Sequence, residues 1–197
     1  MTHEKQQKRI GLTGGIGSGK TFIGAIFSKL DIPVFNADLE AKKCMTEDER
    51  LQQEIQNIFG EEVYKNGLLQ NKVLSEIVFN DKQKLAKLNK LVHPVVKQSF
   101  ETWCAKQTSE IVIKEAAILF ESDSHLTLDK VICVSASEEI RIQRVINRDN
   151  ISREQVIARI EKQMPQHKKE KLSDFVIIND EKELLLPQIL KVITQIS

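Results

Sequence analysis

The sequence has few aromatic residues and no excess of charge of either sign. Aromatic side chains make up 5% of the 197 residues, with one Trp and one Tyr, so few rings are available to stack on unpaired bases. Lysine and arginine total 29 and aspartate and glutamate total 28, which gives a formal net charge of +1. Because this charge creates no field that would attract DNA or an anionic membrane, we expect neither a nucleic-acid partner nor a membrane partner.

Cysteine and long apolar runs are scarce as well. Cys44, Cys104 and Cys133 are an odd number of cysteines without the spacing of metal ligands, so we expect reduced thiols. No apolar run approaches the roughly 18 residues that a membrane-spanning helix requires. The basic N-terminus, MTHEKQQKRIG, is not followed by the apolar segment of a signal peptide, and we therefore expect a cytoplasmic protein.

The remaining composition is that of one globular domain. Apolar residues make up 41% and charged residues 29% of the chain, which excludes a disordered or fibrous protein. The length fits one domain, or one domain that carries an insertion. The chain has four prolines and no low-complexity tract or internal repeat, so no flexible linker is visible and we predict a single domain over residues 1–197.

Short apolar runs rich in β-branched residues predict the strands of a parallel sheet. The runs are almost continuously apolar, which is typical of strands covered on both faces, and helical stretches lie between them. Residues 46–106 contain no convincing buried strand, and apolar residues recur there at helical spacing, so a helical insertion separates the second strand from the third. We predict an α/β fold whose five-stranded parallel sheet is flanked by helices, with strands at residues 9–13, 32–35, 111–114, 130–134 and 175–178.

Capping signals predict where two of the helices begin. Thr46 with Glu49, and Ser152 with Gln155, fit the capping box, in which the first side chain accepts from a helix amide and the second reaches back. Inside the insertion, Pro94 interrupts an otherwise helical pattern. The helix therefore either restarts at Pro94, with proline in its first turn, or kinks there.

Residues 11–21, GLTGGIGSGKT, contain the phosphate-binding pattern GxxxxGK[ST] between a predicted strand and an amphipathic helix. Glycines let successive backbone amides point into one concavity at the positive end of the helix. Lys20 would add a charge at the β- and γ-phosphates, and Thr21 would offer its hydroxyl to magnesium. The predicted nucleotide site consists of Gly14, Gly15, Ile16, Gly17, Ser18, Gly19, Lys20 and Thr21.

The phosphate pattern alone does not distinguish a kinase from a GTPase or a motor, but the DxxG and NKxD motifs of GTPases are absent. Asp38 follows the second predicted strand, at the sheet edge where open α/β sheets bind ligands. Its carboxylate either takes or orients the proton of a substrate hydroxyl that attacks the γ-phosphate, or caps a helix that begins at Leu39. The residues alone leave both interpretations of Asp38 open.

Further charged residues have two interpretations each. Arg141, Arg144 and Arg148 recur at i, i+3 and i+7 and so share one helix face. That face is either an ordinary solvated surface or a basic segment that closes over the phosphates and excludes water. Glu115 ends the third predicted strand, where it either contributes to a magnesium shell or is an exposed strand end.

Motifs along nearly the whole chain resemble those of bacterial dephospho-CoA kinases. They occur in the family's order: GLTGGIGSGK, the NAD sequence after the second strand, the His93-Pro94 pair, ILFE ending at Glu121, the arginine-rich helix, Gln163, and D.VI.N at 174–179. The resemblance implies a P-loop kinase fold with a helical substrate-binding region and a lid. It also implies ATP- and Mg²⁺-dependent phosphorylation of the ribose 3′-hydroxyl of dephospho-CoA, the last step of coenzyme A synthesis.

The same resemblance implies roles for individual residues. Asp38 matches the proposed base, Arg144 and Arg148 match arginines of the lid, and Asn179 matches a contact to the nucleotide base. For His93 and Glu121 it implies substrate contacts, although a histidine before proline is as often a helix-start residue, and Glu121 is equally able to pair with a lysine. The predicted catalytic residues are thus Asp38, Lys20 and Arg144, and the predicted metal residues are Thr21 and Glu115.

The chain departs from the family pattern at several positions. Asn36 replaces the first aspartate of the family's DAD motif, although its amide is still able to hydrogen-bond. Gln70 and Asn71 replace an Asp-Arg pair, Ala117 replaces a proline, and Arg141 stands where Gln is common. Within the single domain, we predict a core at about 1–45 and 108–197, a helical substrate-binding insertion at about 46–107, and a lid at about 141–168. The nearest alternative function is another P-loop small-molecule kinase, such as a nucleoside monophosphate kinase.

Overall fold

The computed structural model describes residues 7–79 and 81–197. Residues 1–6, the first part of the N-terminal segment considered above, and Asn80 lie outside the described residues. The described strands are β1 (Lys8–Thr13), β2 (Val34–Asn36), β3 (Tyr64–Lys65), β4 (Leu68–Leu69), β5 (Ile111–Glu115), β6 (Lys130–Ser135) and β7 (Phe175–Ile178). The α-helices are α1 (Lys20–Lys29), α2 (Ala37–Glu47), α3 (Glu49–Phe59), α4 (Asn71–Phe79), α5 (Lys82–Cys104), α6 (Glu138–Asp149), α7 (Arg153–Ile160), α8 (Gln166–Leu172) and α9 (Leu185–Ile196).

The chain divides into two compact units. We call residues 7–36 and 107–197 of the described chain the sheet unit, and the segment Ala37–Lys106 the helical unit. The helical unit contains all of α2, so it begins earlier than the insertion predicted at about 46–107. The predicted single domain and its lid stay predictions.

The sheet unit contains the predicted five-stranded sheet, and every neighbouring pair of its strands is parallel. The strand order is β2-β5-β1-β6-β7, so β1 is the central strand. The five predicted runs are confirmed, with the largest shift at β2, which begins at Val34. Because the strands are parallel, the loop after β1 lies at the middle of their shared carboxyl edge, where such sheets bind ligands.

Fully buried aliphatic residues of the central strands form the core of the sheet unit. Ile10 and Leu12 of β1 have no exposed surface, and neither has Ile132 of β6. They belong to one cluster with Phe27 of α1 and Ile189 of α9. Burying such side chains contributes roughly 1.5–3 kcal/mol each relative to exposure, so the core fixes where β1, and with it the loop that follows, lies.

The helical unit contains a short hairpin that the sequence analysis missed. Strands β3 and β4 pair antiparallel, with two residues each. Strands this short show no periodicity in sequence. The turn between them is Asn66-Gly67, and both residues have positive φ angles, of 53° and 74°. Asn-Gly is the preferred sequence of a two-residue hairpin turn, so a usable signal was present in the sequence.

One of the two predicted capping boxes is confirmed and the other is wrong. At the start of α7, Ser152 Oγ accepts from the Gln155 amide at 3.3 Å and Gln155 Oε1 accepts from the Ser152 amide at 3.0 Å. Thr46, however, lies within α2 and its hydroxyl donates to the Lys42 carbonyl at 2.9 Å. Asp48 caps α3 instead and accepts from the Leu51 amide at 3.0 Å. The reason is that α2 continues to Glu47, so one residue separates it from α3.

Pro94 lies inside the continuous helix α5, so the helix does not restart there. No helix within residues 7–79 and 81–197 combines the length and the apolar composition that crossing a membrane requires. Cys44, Cys104 and Cys133 are all buried. Burial raises the pKa of the Cys133 thiol to about 11, because the thiolate is disfavoured away from water.

The corrected cap gives a stability prediction. Asp48→Ala should lower the free energy of unfolding by about 1 kcal/mol, because the Leu51 amide loses its acceptor. Thr46→Ala is the matched control and should change it by less than about 0.5 kcal/mol, because the exposed hydroxyl bonds only within its own helix. Urea denaturation of the full chain measures both. If both variants lost the same free energy of unfolding, Thr46 would stabilise the start of α3 as much as Asp48 does, which would contradict the structure.

Candidate active site

The loop predicted to bind phosphate connects β1 to α1, and neighbouring groups pack directly on its glycines. Gly17 and Gly19 have φ angles of 79° and 94°, in the left-handed region that favours glycine. A Cβ atom on Gly17 would collide with the backbone carbonyl of Arg141, and one on Gly19 would collide with the Asn179 amide. The loop therefore needs glycine both for its backbone angles and for the close approach of other elements.

Lys20 begins α1 and folds back along the loop. Its side chain is largely buried, with 9% of the residue exposed. The ammonium Nζ donates to the Gly14 carbonyl at 3.0 Å and to the Gly15 carbonyl at 3.4 Å. The charge is thus held at the concave side of the loop, beside the positive end of the helix, where it favours an anion.

Two glutamines from the segment between α7 and the start of α8 hold the first half of the loop. Gln166 Oε1 accepts from the Gly15 amide, and Gln163 Oε1 accepts from the Ile16 amide, both at 2.8 Å. Gln166 Nε2 also donates to the Val134 carbonyl on β6 at 3.2 Å. Gln166 therefore links the loop to the sheet. The sequence analysis gave it no role, and no motif or spacing marks it.

Thr21 and Glu115, the predicted metal residues, lie together. Thr21 Oγ1 donates to Glu115 Oε1 at 2.7 Å. The other oxygen, Oε2, accepts from Asn36 Nδ2 at 3.0 Å, so the amide that replaces the family's aspartate does hydrogen-bond. Glu115 is 4% exposed, which excludes the exposed strand end that the sequence left open. Strand register explains why Asn36 lies beside Glu115, because Asn36 on β2 and Leu12 on β1 both pair with Glu115 on β5.

The three arginines of α6 do not share one environment. Arg144 Nη1 lies 3.5 Å from the Gly17 and Ser18 carbonyls, and its Nη2 donates to the Asn179 carbonyl at 3.1 Å. Arg148 instead forms a bidentate pair with Asp149 at 2.7 and 3.0 Å. This hydrogen bonding lowers the pKa of the Asp149 carboxyl. The structure thus brings Arg144 to the phosphate loop and occupies Arg148 elsewhere.

Asn179 and Glu121 also support the site. Asn179 is 8% exposed and its Nδ2 donates to the Ser18 carbonyl of the loop at 2.8 Å. Glu121 Oε1 lies 2.8 Å from Nζ of Lys169, a fully buried lysine on α8, and accepts from the Met164 amide at the same distance. Pairing with a lysine was one of the two interpretations left open for Glu121. The predicted base contact of Asn179 and substrate contact of Glu121 stay predictions.

Asp38 and His93 belong to the helical unit. Asp38 is exposed in the first turn of α2. Because α2 begins at Ala37, the interpretation of Asp38 as the cap of a helix starting at Leu39 is wrong. His93 is half-buried within α5, next to Pro94, so it does not start a helix. The catalytic role of Asp38 and the substrate role of His93 stay predictions.

A metal site here would rely on few protein ligands. Among the described residues, no group of three or more His, Cys, Asp or Glu side chains lies close enough to hold an ion. Mg²⁺ in nucleotide sites is usually bound by one or two protein oxygens together with substrate phosphates and waters. The adjacent oxygens of Thr21 and Glu115 match that donor set.

Comparisons with known proteins agree with the geometry. The family model for dephospho-CoA kinase matches residues 8–184. A dephospho-CoA kinase of Bacteroides fragilis is 38% identical over 186 residues, which cover 94% of this chain and 91% of that protein. A Thermus thermophilus crystal structure superposes with a TM-score of 0.87 at 31% identity, covering 96% of this chain and 97% of that one. A Campylobacter jejuni dephospho-CoA kinase gives a TM-score of 0.69 at 27% identity, with 98% of both chains covered.

The link through Gln166 gives a prediction about nucleotide binding. Gln166→Ala should weaken ATP binding about fivefold, because the loss of one hydrogen bond to the loop is worth about 1 kcal/mol. Gln143→Ala is the control, since this exposed glutamine of α6 donates to Glu139 of the same helix. Titration calorimetry with MgATP measures the two dissociation constants. An unchanged dissociation constant for Gln166→Ala would show that the loop keeps its shape without this side chain.

Proposed function

The chain belongs to the dephospho-CoA kinase family, and from this premise we propose which of its residues carry out the family's reaction. Its activity is the ATP-dependent phosphorylation of dephospho-CoA in coenzyme A biosynthesis, and the acceptor is the ribose 3′-hydroxyl. The observation that carries this conclusion is the match of residues 8–184 to the family model. Within that span the loop after β1 has every part of a phosphate site.

The triphosphate of ATP binds in the loop from Gly14 to Thr21, at the N-terminus of α1. Lys20 neutralises charge on the β- and γ-phosphates, and Arg144 steadies the phosphoryl group as it transfers. Support comes from the position of both cations against loop carbonyls. Arg148 and Asn179 are the remaining nucleotide contacts that we propose, and Arg148 would have to leave Asp149 to reach a phosphate.

Thr21 and Glu115 are the protein groups that would hold Mg²⁺. Their oxygens are 2.7 Å apart, and the carboxylate is buried and fixed by Asn36. A hard cation prefers such oxygen donors. When bound, Mg²⁺ neutralises charge on the phosphate oxygens.

Asp38 takes or orients the proton of the acceptor hydroxyl. Asp38 lies exposed in the first turn of α2, and a carboxylate in reach of the acceptor hydroxyl is able to accept its proton. The transfer is direct and in line, without a covalent enzyme intermediate, since positioning and charge stabilisation are sufficient for phosphoryl transfer. His93 and Glu121 contact the substrate.

The partners that we propose are small molecules, ATP and dephospho-CoA, and the compartment is the cytoplasm. We propose no nucleic-acid or membrane partner, because the net charge of +1 provides no general attraction to either.

A coupled assay with purified protein tests the function. ADP should be released steadily when MgATP and dephospho-CoA are present, and mass spectrometry should show a product heavier by one phosphoryl group. Nucleoside monophosphates and adenosine serve as comparison acceptors. Turnover of a nucleoside monophosphate without turnover of dephospho-CoA would favour the alternative kinase, and ADP release independent of any acceptor would contradict a kinase.

Asp38→Asn should lower kcat on the order of 10²-fold or more, as expected for a lost general base, while the dissociation constant of ATP changes little. Glu47→Gln is the matched control, because it removes an exposed carboxylate at the other end of the same helix. Steady-state kinetics together with ATP titration separate the two effects. An Asp38→Asn enzyme with full kcat would remove Asp38 from the reaction.

Glu115→Gln should raise the Mg²⁺ concentration needed for half-maximal rate on the order of tenfold, because a neutral amide is a weaker ligand than a carboxylate. The fold should tolerate the change, since glutamine has the same shape. Glu183→Gln, at an exposed position, is the control. A Mg²⁺ titration at saturating ATP measures the shift, and identical titration curves would place the metal elsewhere.

A further inference from the structure

Arg141 is a buried cation packed directly on the phosphate loop. Its side chain is 4% exposed. A Cβ atom on Gly15 would collide with its guanidinium, and one on Gly17 would collide with its backbone carbonyl. The residue therefore contacts the loop at two glycines. From the sequence, Arg141 shares a helix face that is either a solvated surface or a basic segment closing over the phosphates, and its burial excludes the solvated surface at this position.

The charge of Arg141 is poorly matched by protein groups. Among the described residues, its ion-pair partner is Glu138, at an N–O distance of 3.8 Å, and the Glu138 side chain is 66% exposed. Its Nε is buried without a hydrogen-bond partner in the described part of the chain. By contrast, Arg144 pairs with Glu181 at 3.0 Å. A buried charge without a close partner is costly.

Other charged groups nearby leave this imbalance in place. The Glu170 carboxylate contributes some countercharge to Arg141, but its Oε1 accepts from Ser135 and Gln166 rather than from the guanidinium. Lys20 adds a second positive charge on the same loop. Burial lowers the pKa of the Arg141 guanidinium, and the Glu138 and Glu170 carboxylates offset this in part, yet a guanidinium remains protonated at neutral pH. The loop thus holds two buried cations, and their charge favours an anion in its concavity.

We propose that Arg141 is a positioning residue for the nucleotide, whose buried guanidinium is balanced by the phosphates of ATP bound in the loop. This inference rests on the proposed function, because it takes the triphosphate as the ligand. Arg141 acts through the loop, which it contacts at Gly15 and Gly17, and through its electric field. The nucleotide-free protein therefore carries the cost of this buried charge, and binding of an anion offsets it.

Two opposite effects distinguish this role from ordinary structural support. Arg141→Gln removes the charge and keeps a polar side chain. This variant should weaken ATP binding on the order of tenfold, because the phosphates lose their attraction to a buried positive charge that water screens poorly. ADP, with one phosphate fewer, should lose less affinity than ATP. The melting temperature of the nucleotide-free protein should stay the same or rise, because an unmatched buried charge has been removed.

Arg141→Lys and Arg153→Gln complete the experiment. The lysine variant keeps the charge and should retain more ATP affinity than Arg141→Gln. Arg153 is on the exposed face of α7 and pairs with Glu139 at 2.7 Å, so its replacement should leave ATP affinity unchanged. Calorimetric titration with MgATP and MgADP, without acceptor, and thermal melting of the free proteins provide the measurements.

Three results would overturn the inference: unchanged ATP affinity in Arg141→Gln, equal losses for ATP and ADP together with a lowered melting temperature, or a variant that does not fold. These results are distinct from failure of the proposed function. If the wild-type chain binds ATP but does not phosphorylate dephospho-CoA, the function fails while the affinities still decide the role of Arg141. If the wild-type chain does not bind ATP, the phosphate site itself is rejected, and the inference with it.

Discussion

Groups from other parts of the sheet unit contact the backbone of the phosphate loop. They lie so close to its glycines that a side chain at those positions would collide with them. The Arg141 carbonyl lies against Gly17, the Asn179 amide against Gly19, and the Val134 carbonyl against Gly14. These contacts come from α6, from the residue after β7 and from β6, and sheet pairing holds β6 and β7 in register with β1. The loop's shape is therefore a product of sheet packing as much as of its own glycines, and each proposed contact to a triphosphate depends on that shape.

Electrostatics at the loop follow from the same packing. Lys20 and Arg141 are buried beside it, and Arg144 lies against its carbonyls. Burial strengthens the field of each cation because little water screens it. The carboxylate of Glu115 adds a negative charge beside Thr21, and strand register fixes its position. A site with cations around the loop and one anchored carboxylate suits a phosphate chain that carries a divalent cation, which agrees with the family to which the chain belongs.

Features that are local in sequence were predicted successfully. The five sheet strands follow from short apolar runs, the phosphate loop from its glycine spacing, and the cap of α7 from Ser152 and Gln155. The errors arose where the local sequence signal was incomplete or weak. Thr46 was taken as a cap because nothing in the sequence shows that α2 continues to Glu47, and the hairpin at Asn66-Gly67 was missed because its strands are too short for periodicity.

The sequence by itself determined the α/β class, the phosphate loop and the family, since these depend on motifs and on the order of strands. The tertiary structure alone decided that Gln166 holds the Gly15 amide, across 151 residues of chain, that Arg148 pairs with Asp149, and that Arg141 is buried. Helical spacing places three arginines on one face but does not say what covers each turn of that face. That depends on which distant elements the core brings against it.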